Sequence, residues 1–126
     1  YPEPSLFGSS SIEKAAIEMW QNRVVFELML PLAMTFRHTH PAMAKMENQN
    51  ASYGEQQRDV ALGSLKYFDK HLAGSEYIAG DAFSFADIQV ITTIQMFLPL
   101  NKIPMEDFEN ISSYNELLSA RPSCQA

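Results

Sequence analysis

Ser84 to Asp87 stands directly in front of the most apolar stretch of the chain and spells a complete helix start. Ser84 is an N-cap residue type, Asp87 three positions on can reach back to the Ser84 N–H, and Phe83 at N′ can pack on Ile88 at N4. A capping box with a hydrophobic staple is therefore predicted. The segment behind it, Phe85 to Leu98, has only Asp87, Gln89 and Gln95 as strongly polar residues. A helix apolar on nearly every side belongs in the middle of a domain. Its first N–H groups lack partners inside the helix, and burial makes partners obligatory. The cap is thus a condition for burying this segment.

A hydroxyl and a carboxylate side by side also resemble catalytic groups. The cap accounts for both residue types, and no histidine is positioned by the sequence to complete a triad, so Ser84 and Asp87 are assigned to structure.

The same grammar marks the other helices. Ser10 to Glu13 forms a second capping box, opening a helix from Ile12 towards Thr39, where His40 before Pro41 is pushed out of the α region. Within it Ile17, Trp20, Val24 and Leu28 form one apolar stripe, and Met19, Phe26, Leu30 and Ala33 another, which calls for two neighbours. Pro31 cannot donate to the Glu27 carbonyl, so a bend is expected there. Ser52 to Glu55 reads as a third box, before the stripe Ala61, Leu65, Phe68 and Leu72 and a left-handed cap at Gly74. Gly80-Asp81 makes the turn of a short extended connection into the central helix, which Pro99 and Pro104 stop. Asn110 then caps a short helix over Ile111 to Ala120, with Ile111, Tyr114, Leu117 and Leu118 inward, and Pro122 opens a last turn. No strand alternation appears. The fold class is all-α, a bundle of four to five helices with a long kinked first helix, and 126 residues suffice for one core.

Charge narrows the partners. A net charge of −6, with 15 Asp+Glu against 9 Lys+Arg and no dense basic run, argues against nucleic acid or an anionic membrane surface. The Val24 to Phe36 run is too short for a span and is broken by Glu27 and Pro31. Cys124 is the one cysteine, which fits a reducing, cytoplasmic setting, and the N-terminus opens on a Pro-rich linker rather than a signal peptide. His38 and His40 do not make a metal pair, because helical positions two apart point roughly 200° from each other. No metal site and no catalytic residue is assigned.

Gly80-Asp81 followed by Phe83-Ser84-Phe85-Ala86-Asp87-Ile88 resembles the capping motif in the C-terminal helical domain of cytosolic glutathione transferases, bacterial members included. Tyr1 to Gly8 is similar to the linker that leaves the thioredoxin-like domain there. Asn110 to Tyr114 and Ala120-Arg121-Pro122-Ser123 resemble that family's late helix and its Arg-Pro. The resemblance implies residues 1–10 as interdomain linker and residues 11–126 as the helical domain, with the thioredoxin-like domain absent from this chain.

It further implies a protein that conjugates glutathione to small hydrophobic electrophiles, in which this half forms the electrophile pocket and dimer contacts. Glutathione is then a co-substrate held mainly by the absent domain, no other cofactor is needed, and these residues alone are inactive. Phe36, Arg37, His38 and His40 fall, by position along the first helix, where the family borders its electrophile pocket. Trp20 and Arg23 fall where it meets its own thioredoxin-like domain and the second subunit. The alternative implied is a non-catalytic assembly module, such as serves translation-factor complexes.

Overall fold

The computed structural model describes residues 5–124, and among them the regular structure is helical, joined by turns and loops, apart from one isolated bridge between Tyr77 and Gly80. Five α-helices are present: α1 (Ser11–Arg23), α2 (Leu30–Thr39), α3 (Ala51–Leu72), α4 (Phe85–Leu100) and α5 (Glu109–Ser119). Short 3-10 turns occupy Pro41–Met43, Met105–Asp107 and Pro122–Cys124. The expected all-α bundle is what forms.

The long first helix runs from Ser11 to Thr39, but its discontinuity is a π-helical stretch over Val24–Met29 just ahead of Pro31. Leu30 N–H bonds back five residues to the Val25 carbonyl, so the wider turn absorbs the irregularity next to the proline that cannot donate. Its inner stripe continues unbroken across the join. Ile17, Trp20, Val24 and Leu28 are all buried, and Leu32 and Thr35 extend the row.

α3 returns antiparallel to this helix, with Ala61, Leu65, Phe68 and Leu72 buried against it. The two approach closely at Gly54, where an added Cβ would lie 2.6 Å from Thr39 Cγ2 and 3.0 Å from His38 Cβ. A side chain there would wedge the elements apart. α4 fills the centre, with Ala86, Val90, Ile94 and Leu98 at or below 1% exposure. α1 to α5 all contribute to one buried cluster.

Four local expectations are corrected. Asn50, not Ser52, caps α3, its Oδ1 accepting the Tyr53 N–H at 3.1 Å, while Ser52 is exposed in the first turn. Asn110 does not cap α5; Asp69 of α3 reaches across, Oδ1 accepting Ile111 N–H at 2.9 Å and Oδ2 accepting from Asn110 at 3.1 Å. Pro99 sits inside the last turn of α4, whose helix runs on to Leu100. Gly74 is not left-handed, whereas Lys102 is, with φ of 54°. Lys102 N–H meets the Pro99 carbonyl and Ile103 N–H the Leu98 carbonyl, the double bond pattern of a Schellman end.

One inward assignment also fails, since Leu117 is 44% exposed. On the second stripe of the first helix, which calls for a neighbour of its own, Met19, Phe26 and Leu30 are exposed while Ala33 is half-buried. No element among the described residues covers them.

Candidate functional site

The Ser84–Asp87 box forms as expected, but its carboxylate does more than cap. Asp87 is fully buried. Its Oδ2 accepts the Ser84 N–H at 2.7 Å and the Ser84 hydroxyl at 3.1 Å, while Oδ1 accepts the Ile78 N–H at 2.8 Å and the Tyr114 hydroxyl at 2.6 Å. Four donors saturate one carboxylate, so no lone pair is left for a reacting proton. Burial first, and the Asp87 charge next, raise the Tyr114 hydroxyl far above the ordinary phenol range. The start of α4 is further held by the segment before α1, since Phe85 N–H donates to the Leu6 carbonyl at 2.9 Å and Phe7 stacks on Phe85. Phe83, half-buried, lies edge-on to Tyr77 and beneath the Arg121 guanidinium.

The far end of the first helix is organised by the loop behind it. Arg37 pairs with Glu47, and Gln49 donates to the carbonyls of Arg37 at 3.0 Å and His40 at 2.8 Å. His38 Nδ1 accepts the Asn50 N–H at 3.1 Å, and its ring stands edge-on to Tyr53. His40 Nδ1 accepts the Ala42 N–H at 3.1 Å and its ring lies against Phe36, centroids 4.6 Å apart. Polar atoms of Arg37 and His38 are thus engaged in fastening residues 41–50. The Phe36 and His40 rings share a face.

His40 also lines a cleft of about 300 Å³ with Thr39, Pro41, Arg58, Leu100, Asn101 and Lys102. Arg58 donates to the Asn101 carbonyl at 2.7 Å, and buried Asn101 donates to the carbonyls of Leu32 at 3.0 Å and Phe97 at 2.9 Å. Three helices are tied together at this corner. Sequence reasoning missed Arg58, Asn101 and Lys102, because Arg58 meets its partner 43 positions away and no local pattern marks such a pair.

Trp20 is only 6% exposed, packed on His71 at 4.2 Å between centroids and edge-on to Phe68. Arg23 extends over the rings of Trp20 and Tyr67, donates to the Tyr67 hydroxyl at 2.8 Å and pairs with Glu27 at 3.0 Å. Met19, Phe26 and Leu30 of the first helix are exposed, as are Tyr53, Val60 and Tyr67, which recur every seven residues along α3. Among the described residues no three His, Cys, Asp or Glu side chains come together as metal ligands, and no helix is long and apolar enough to cross a membrane.

The profile of the family described as "Glutathione S-transferase, C-terminal domain" matches residues 28–122. Glutathione S-transferase 2 of Saccharomyces cerevisiae is 36% identical over 123 residues, which is 95% of this chain and 52% of that protein. Glutathione S-transferase stcT of Emericella nidulans is 31% identical over 120 residues, 94% of this chain and 54% of that protein. Among solved structures, Gtt2 from Saccharomyces cerevisiae superposes with a TM-score of 0.89 at 35% identity, covering 98% of this chain and 61% of that one. A class Gtt2 glutathione S-transferase of Vibrio parahaemolyticus gives 0.82 at 33% identity, with 96% and 55% covered. The chain spans about half the length of the curated relatives it matches.

Proposed function

Because the chain belongs to the glutathione S-transferase family, as its C-terminal helical domain, we propose that it is the electrophile-pocket and subunit-contact half of a glutathione transferase. The family match over residues 28–122 carries the reading. In this proposal a thioredoxin-like domain outside these residues binds glutathione and uses a Ser, Tyr or Cys to favour its thiolate. The thiolate sulfur attacks an electrophilic carbon, a C–S bond forms, and the leaving group departs with the displaced electron pair. This half contributes an apolar wall and keeps water out.

Within that scheme Phe36 and His40 offer ring surface to the electrophile. Arg37 and His38 border the pocket and hold its rim through their bonds to the 41–50 loop. Exposed Met19, Phe26 and Leu30 of the first helix and Val60 and Tyr67 of α3 supply apolar surface for the second subunit, with the Trp20–Arg23 cluster. A cytoplasmic setting, where reduced glutathione is held, belongs to the same proposal.

The test is conjugation of glutathione to an activated aryl halide by the full-length protein and, in parallel, by these 126 residues. Turnover by the full-length protein and none by the chain alone is the expected pair of results. A folded full-length protein without turnover would replace the enzyme by the assembly-module reading, and turnover by the chain alone would overturn the division of labour.

A further inference from the structure

The cleft between the C-terminal ends of α2 and α4 and the third turn of α3 has a chemistry that the family match does not explain. Two full cations face it, Arg58 and Lys102, and no Asp or Glu lines it. This occurs in a chain of net charge −6. Among the described residues the ion pairs are Arg23–Glu27 and Arg37–Glu47, so Arg58 and Lys102 have no carboxylate partner. Arg58 is half-buried, and its one bond, Nη1 to the Asn101 carbonyl, sets the plane of the guanidinium while leaving Nε and Nη2 for another acceptor.

Lys102, exposed and lining the cleft, occupies a left-handed position, φ 54°, where glycine would be less strained. The carbonyl ends of α2 and α4 bring roughly half a negative charge each. Together that is about one charge against two cations, so the cleft stays positive. Its other wall is apolar: the His40 ring backed by Phe36, with Pro41 and Leu100. About 300 Å³ suits a single-ring molecule.

We propose that this cleft binds a small organic acid, its acid group between Arg58 and Lys102 and its flat apolar body against His40, Pro41 and Leu100. The proposal deepens the functional reading above by naming an acid-bearing electrophile class. It rests on that reading only for the claim that the occupant is a substrate. Binding is therefore measured without glutathione, so that its failure and the failure of conjugation are separate results.

All five helices contribute to one buried cluster, so the titration uses the 126 residues themselves, with arginine side-chain and backbone amide resonances as the readout. Benzoate, its neutral analogue benzamide and inorganic phosphate are the probes. Saturable benzoate shifts at Arg58 Nε and at the amides of residues 100–102, weakened about tenfold in Arg58→Gln, are expected. Because Arg58→Gln also loosens Asn101, Lys102→Gly is the second variant; it should keep its circular dichroism spectrum and weaken benzoate about threefold. Equal binding of benzamide, benzoate affinity unchanged in Lys102→Gly, or saturation by phosphate but not benzoate would each overturn the assignment.

Discussion

The Tyr114 hydroxyl donates to Asp87 Oδ1 at 2.6 Å across the interior, joining α5 to the first turn of α4. Through the same carboxylate the Ile78 N–H and both donors of Ser84 are also engaged, so three segments meet on one buried anion. A buried charge survives only where donors replace the water it has lost. Here they do, and the folded position of the 77–84 connection is set by it.

Asp87→Ala should therefore cost more than an ordinary cap. It removes the acceptor for four donors, all of them buried, and about 3 kcal/mol of stability should go with it. Thermal melts and chemical denaturation should both register the loss, while ligand affinity of the molecules still folded stays nearly unchanged. An unaltered melting temperature would refute the structural role.

Alkaline stability follows from Tyr114. Its pKa is raised in the folded chain from the ordinary 10.0, by burial and then by Asp87. The neutral phenol's contribution is fully present below about pH 10 and is lost as pH climbs above it, because the unfolded chain releases the proton and the folded one keeps it. The expected slope is up to about 1.4 kcal/mol per pH unit. Tyr114→Phe should be less stable at pH 7, by about 1.5 kcal/mol for one charge-assisted bond, yet show a shallower decline above pH 10. Parallel curves for the two proteins would show that Tyr114 does not titrate this way.

Helix count, the inner stripes and two capping boxes were legible in the sequence because each depends on residues within one or two turns. Whatever depends on a distant partner was not. Ser84–Asp87 reads as a local cap, but Tyr114 stands 27 positions away from Asp87. Asn50 and Ser52 are both good cap types, and Glu55 three residues after Ser52 favoured the wrong one. The left-handed cap was assigned to Gly74 because glycine adopts that region most easily, whereas it is Lys102, just past the end of α4, that adopts it. The pocket border at Phe36 to His40 was assigned by position along a helix, and the loop bonds that engage Arg37 and His38 leave no signature in order of residues.

The crossed cap on α5 separates local from tertiary control. Asp69→Ala removes the acceptor of the Ile111 N–H and the bond to Asn110 together, and should cost about 1 to 2 kcal/mol. Asn110→Ala loses only the side-chain bond and should cost under about 1 kcal/mol. Urea midpoints would rank the two. The reverse order would mean that Asn110 caps its own helix in solution after all.

Lys102 gives the clearest separation of stability from binding. A non-glycine residue in the left-handed region costs roughly 1 to 2 kcal/mol, and glycine recovers this less the entropy it adds to the unfolded chain. Lys102→Gly should therefore stabilise the fold by about 0.5 to 1 kcal/mol, while Lys102→Ala, which keeps the strain, should not. If both substitutions stabilise equally, removal of the ammonium from the cleft that Arg58 also lines is the cause and the backbone is not. If glycine alone stabilises, the chain retains a strained lysine at the edge of a positive cleft at a measurable cost in stability. That is the outcome expected when the side chain serves a ligand rather than the fold.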